Sequence, residues 1–192
     1  MNKIFIGDSH IQPITLLLQQ KYNKIYADKK WPDVEISTPG RSAYKLDYSE
    51  LVIPDINDKI VIVLFGENDI RKHLPKYDNA SSVVDAYVKK TKDTFINNFL
   101  LFIEPVPQVV NLNTKELKYS FESRLFQQQK FYKALSEHDI NLIKTSEILG
   151  IDRLTESETD DNQHLNKKYS YILSEHIDNM AEKLSEKRAG DQ

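Results

Sequence analysis

Cysteine is absent from the 192 residues, which excludes a disulfide framework, a thiolate zinc site and a cysteine nucleophile. Glycine (5) and proline (7) are too scarce for a low-complexity chain, and no internal repeat is visible. An excess of positive charge is missing as well. The 26 Lys and Arg against 29 Asp and Glu leave a net charge of −3, which gives no general electrostatic reason to bind nucleic acid. No apolar run approaches the roughly 20 residues needed to span a bilayer. The apolar run within residues 1–7 is too short for a signal peptide, so the expectation is a cytoplasmic protein with no membrane partner. What is present is an ordinary globular balance, 40 % hydrophobic and 29 % charged. At this length such a chain can bury a core as one domain spanning 1–192.

Periodicity gives alternating strands and helices. Residues 3–6 are short, apolar and β-prone and end at a Gly7-Asp8 turn. Ile11, Ile14 and Leu18 then recur at helical spacing, with Pro13 in the first turn, where its missing N–H costs nothing. A second strand covers 34–36, and 60–65 (Ile-Val-Ile-Val-Leu-Phe) has the unbroken apolar run of a strand buried on both faces. A helix over 82–98 begins at Ser82 and Asp85, which resemble a capping box. A strand over 100–103, a helix over 123–137, a strand over 140–143 and a long helix from 164 or 165 follow, with the tail from 186 expected to fray. Residues 108–122 read as a polar insertion or small hairpin. The alternation indicates an α/β fold: a three-layer α/β/α sandwich around a five-stranded parallel sheet, flavodoxin-like, with sites at the strands' C-terminal ends.

Four short segments fall at that edge. Gly7-Asp8-Ser9-His10 follows the first strand, and Ser9 sits at a helix N-terminus, where free N–H groups can stabilise an oxyanion. Gly40 follows the second strand and can offer its backbone N–H at close range. Gly66-Glu67-Asn68-Asp69 ends the third strand, where Asn68 presents a side-chain NH₂. Asp161-Asn162-Gln163-His164 precedes the last helix, and its spacing lets one turn aim the Asp161 carboxylate at the His164 ring. These are the parts acyl transfer requires: Ser9 as nucleophile, His164 as base, Asp161 to orient the imidazole, and Ser9 N–H, Gly40 and Asn68 as an oxyanion hole. His10, Asp69 and Arg71 are the nearest candidates for substrate contact. Arg71 heads Arg71-Lys72-His73, and its planar fork suits a carboxylate or phosphate. No cofactor or metal is called for.

In order and context, Ser9, Gly40, Asn68 and His164 resemble the four blocks of the SGNH/GDSL hydrolases, with G-D-S at 7–9, G-x-N-D at 66–69 and D-x-x-H at 161–164. The resemblance implies a flavodoxin-like sandwich, a Ser-His-Asp triad, and hydrolysis or transfer of an acyl group on a small-molecule or glycan ester. By family analogy the acyl group is short. The chain departs from the family pattern in having His10 for Leu, no Asn before Gly40, and Asn162 for Gly. The G-x-S-x-G elbow of the α/β-hydrolases is absent.

Two other functions compete. Asp8-Ser9-His10 also reads as D-x-H, as in metal-dependent phosphoesterases, although the G-N-H-D/E block and the later H-x-H pair are missing. A catalytically silent binding protein of the same fold is the other.

Overall fold

The computed structural model describes residues 3–25, 34–37, 41–50, 59–110, 118–161 and 163–190. Five strands, β1 (Lys3–Gly7), β2 (Val34–Ser37), β3 (Ile60–Leu64), β4 (Phe99–Ile103) and β5 (Asn141–Ile143), form one parallel sheet in the order β2-β1-β3-β4-β5. This is the expected flavodoxin-like order, and the strands lie within a residue or so of where the apolar runs put them. Six helices accompany the sheet among the described residues: α1 (Ile11–Ile25), α2 (Leu74–Tyr77), α3 (Ala80–Thr94), α4 (Phe121–Ser136), α5 (Thr145–Leu149) and α6 (Lys167–Gly190).

Side chains alternate across the pleat, so each buried strand feeds two cores. Ile4, Ile6, Val61, Val63 and Phe102 face α3 and α4, where Val84, Tyr87, Phe131 and Leu135 close the packing. Phe5, Ile60, Ile62, Leu101 and Ile103 face the opposite way, onto Ile11, Ile14 and Leu18 of α1 and Leu173 and Ile177 of α6. Continuous apolar runs in β1 and β3 follow directly from burial on both faces.

Some boundaries differ from expectation. α3 starts at Ala80, so Ser82 and Asp85 lie inside the helix and form no capping box; Asp85 instead meets His138, Nε2 to Oδ1 at 3.0 Å. α4 starts at Phe121 because the Ser120 hydroxyl accepts the Ser123 N–H at 3.2 Å. α6 starts at Lys167, where Asn166 Oδ1 accepts the Tyr169 N–H at 3.2 Å, and continues to Gly190. His164 is therefore a loop residue rather than a helical one. The 108–122 segment opens with a parallel bridge between Val109 and Leu154, and its part at 111–117 lies outside the described residues.

Strand order reverses between β1 and β3, the switch point where crossovers leave in opposite directions and a crevice opens. The end of β1 is fastened to the end of β3 by Asp8 N–H donating to Leu64 O at 3.1 Å. After β3 the chain turns at Gly66, whose φ of 126° is a conformation that side chains resist. A Cβ there would lie 2.5 Å from Phe131 Cζ and 2.7 Å from Pro105 Cγ. Strain and overpacking together should make Gly66→Ala less stable by about 2–5 kcal/mol. Thermal unfolding should show this as a Tm lowered by roughly 5–15 °C. An unchanged Tm would mean this turn does not hold the site's floor.

Candidate active site

The two loops at the switch point carry Ser9 and Asn68. Ser9 lies in the turn between β1 and α1, closed by Ile11 N–H donating to Asp8 O at 3.2 Å. Its Oγ is 3.0 Å from His164 Nε2, across 155 positions of sequence. His164 Nδ1 is in turn 2.6 Å from Asp161 Oδ2. Asp161 also closes its own turn, accepting the backbone N–H of His164 at 2.6 Å and of Gln163 at 3.0 Å on Oδ1. With Nδ1–H donated to the carboxylate, Nε2 is left to accept from the Ser9 hydroxyl. Burial alone would raise the Asp161 pKa, but the bonds from the His164 backbone and ring outweigh it and hold the carboxyl below its ordinary range. Its side chain is 54 % exposed.

Asn68 is buried, and its amide is held at both ends: Nδ2 donates to Arg41 O at 3.2 Å, and Oδ1 accepts from an Arg71 guanidinium nitrogen at 3.3 Å. This puts the residue after Gly40 against Asn68; Gly40 itself lies outside the described residues. Arg71 is 8 % exposed, and its Nε is 3.7 Å from Glu67 Oε1. Its fork faces inward to Asn68 and Glu67 rather than outward, which reassigns it from substrate contact to support of Asn68. Asp69 is likewise turned inward. It is fully buried, and its carboxylate accepts Ala43 N–H at 2.6 Å and Tyr44 N–H at 3.1 Å. Burial pushes its pKa up to about 6 against those two bonds. The inward turn comes from a π-helical turn at Asp69–His73, a wider coil often found at functional sites.

His10 is buried with its ring centroid 4.7 Å from that of His164. Burial, then the His164 and Arg71 charges, push its pKa down to about 3, so the ring is neutral. Its Nε2 lies 3.9 Å from Glu67 Oε2, an approach that without a proton on the ring is no ion pair. Beneath it the Asp8 carboxyl accepts the His10 N–H at 3.0 Å. Burial foremost, then the Glu67 charge, drive its pKa well up. Among the described residues no three His, Asp or Glu side chains are grouped as metal ligands. No described helix is long and apolar enough to cross a membrane.

A cleft of about 670 Å³ opens beside the Ser9 hydroxyl, lined by His164 and Asp161 and by the apolar Pro13, Leu16, Leu17 and Leu165. Leu16 is 54 % exposed in this wall. Sequence reading missed the wall, since only the core stripe of α1 was used; the extra leucines off that stripe were the available signal. Glu67 was also missed, being one position inside a recognised block.

No family model and no curated protein matches the sequence. Solved structures do match in fold. A GDSL-like lipase from Bacteroides thetaiotaomicron is 15 % identical, with TM-score 0.64 over 95 % of this chain and 88 % of that one. A carbohydrate esterase of family 3 from Talaromyces cellulolyticus is 14 % identical, with TM-score 0.63 over 96 % and 98 %. A psychrotrophic esterase from a Pseudoalteromonas species, inhibited by monoethylphosphonate, is 16 % identical, with TM-score 0.57 over 96 % and 98 %. With the β2-β1-β3-β4-β5 sheet and its switch-point crevice, the chain has the fold of the SGNH/GDSL hydrolases.

Proposed function

We propose that the chain is a serine-dependent carboxylic ester hydrolase, or an acyl transferase, working through an acyl-enzyme on Ser9. The reading rests on one observation, the hydrogen-bonded line from Ser9 Oγ through the His164 imidazole to Asp161. Ser9 Oγ attacks the ester carbonyl while its proton moves to His164 Nε2. Asp161 stabilises the imidazolium and fixes its orientation. Charge gathering on the carbonyl oxygen is met by the Ser9 N–H, Asn68 Nδ2 and Gly40 N–H. Collapse of the tetrahedral intermediate breaks the ester C–O bond, and Nε2 returns its proton to the departing alkoxide. Water, or an acceptor hydroxyl in a transferase, then repeats the sequence on the acyl-enzyme. The glycan or small-molecule alcohol and the short acyl group belong to this same proposal. The esterase and carbohydrate esterase among its fold neighbours favour the glycan or small-molecule ester.

Hydrolysis of p-nitrophenyl acetate in excess EDTA tests the proposal against a metal-dependent phosphoesterase. Full activity with chelator is expected, declining as the acyl chain lengthens. Activity abolished by EDTA and restored by a divalent ion would overturn it.

A further inference from the structure

A second concavity, about 590 Å³, lies on the Asn68 side of the fold. Its walls are the short turn Ala43–Lys45 and the segment 72–77 that follows the π-helical turn. Arg41, Lys45, Lys72 and Lys76 line it, and none of its described lining residues is acidic. Four cations in one hollow are notable in a protein whose net charge is −3. A cleft lined by one sign concentrates counter-ions of the other.

Lys45, Lys72 and Lys76 are exposed, but the walls that carry them are fixed from within. The buried Asp69 carboxylate clamps the backbone N–H groups of Ala43 and Tyr44, tying one wall to the other. Tyr44 stacks on His73 with ring centroids 3.7 Å apart, and Tyr77 leans against His73 at 4.7 Å with its ring tilted by 37°. Lys45 Nζ lies 5.2 Å from the Tyr44 ring centre, and Lys76 Nζ 4.8 Å from that of Tyr77. These two aromatic rings hold the ammonium groups in the hollow, and no carboxylate lies among its described lining residues. The hollow also adjoins the candidate oxyanion hole, since the Arg41 carbonyl that accepts from Asn68 belongs to a residue of its lining.

From this we infer that the hollow binds an anionic group, a carboxylate or phosphate, carried on the alcohol part of the ester substrate. A volume near 590 Å³ is in the range that holds a molecule of sugar size or larger, well beyond a single ion. Arg71 is the natural anion ligand by sequence, but it is buried beside Asn68 and Glu67 and does not line the hollow. Lys45 and Lys76 take that role.

The inference rests on the esterase reading only for its link to the substrate, and calorimetry separates the two. Ser9→Ala protein is titrated with glucose 6-phosphate, with a uronic acid oligosaccharide and with a neutral xylo-oligosaccharide. At least one anionic ligand should bind, and which one names the anion. Lys45→Ala/Lys76→Ala, added to that background, should weaken this binding at least tenfold, and Lys45→Arg/Lys76→Arg should restore it. The neutral sugar should bind at least tenfold more weakly than the anion. Equal binding of neutral and anionic sugars, no binding of either anion, or an unchanged Kd in the alanine pair would overturn the inference. Failure of the wild type to hydrolyse p-nitrophenyl acetate would defeat the catalytic reading, and with it the link to an ester substrate, but not the anion site.

Discussion

Ser9→Ala should lower kcat for p-nitrophenyl acetate by about 10⁴–10⁶-fold while leaving the fold intact, since nucleophile and base act as a unit. His164→Ala should cost about as much, and the double variant little more, because either loss already breaks the same proton path. Asp161→Asn should cost less, about 10²–10³-fold. Its amide would offer N–H where Nδ1–H needs an acceptor, and a buried triad Asp loses more when so changed. With the Asp161 side chain 54 % exposed, solvent already screens part of its hold on the imidazolium. Steady-state rates of the four variants, with circular dichroism as a folding control, check these expectations. Additive losses, or a Ser9→Ala protein with wild-type turnover, would contradict them.

Asn68→Ala should lower kcat by about 10²–10³-fold with little change in KM, the usual consequence of removing one oxyanion donor. It should also cost stability. The buried Arg71 guanidinium would lose the Oδ1 acceptor at 3.3 Å, and an unsatisfied buried donor costs about 1–3 kcal/mol. Asn68→Asp separates the two effects. It keeps an acceptor for Arg71 but replaces the donor with negative charge where negative charge must develop. Stability should then hold while kcat falls at least as far as in the alanine variant. If Asn68→Asp retained full turnover, Asn68 would be a packing residue and the oxyanion would have to be met elsewhere.

The sheet was legible because β1 and β3 are buried on both faces and therefore written as unbroken apolar runs. Ser9, Asn68 and His164 were legible for a related reason, each following or preceding an element at the edge where parallel strands end. What the sequence withheld was direction. Arg71 stands three positions past a recognised donor, and only the π-helical turn reveals that it points inward to Asn68. Asp69 read as a substrate contact, whereas it holds the 43–44 backbone. Helix starts shifted wherever a single side-chain bond chose the cap, as Asn166 did for α6. The basic hollow escaped notice because its cations come from two segments about 30 positions apart, and neither is dense enough in charge to stand out alone.

The decisive measurement is mass spectrometry of the protein after reaction with a fluorophosphonate, followed by peptide mapping. The account predicts one phosphonyl group per chain, carried on Ser9, absent from Ser9→Ala and formed far more slowly in His164→Ala. Esterase activity that persists in protein left unlabelled, or a label mapped to any other residue, would contradict it.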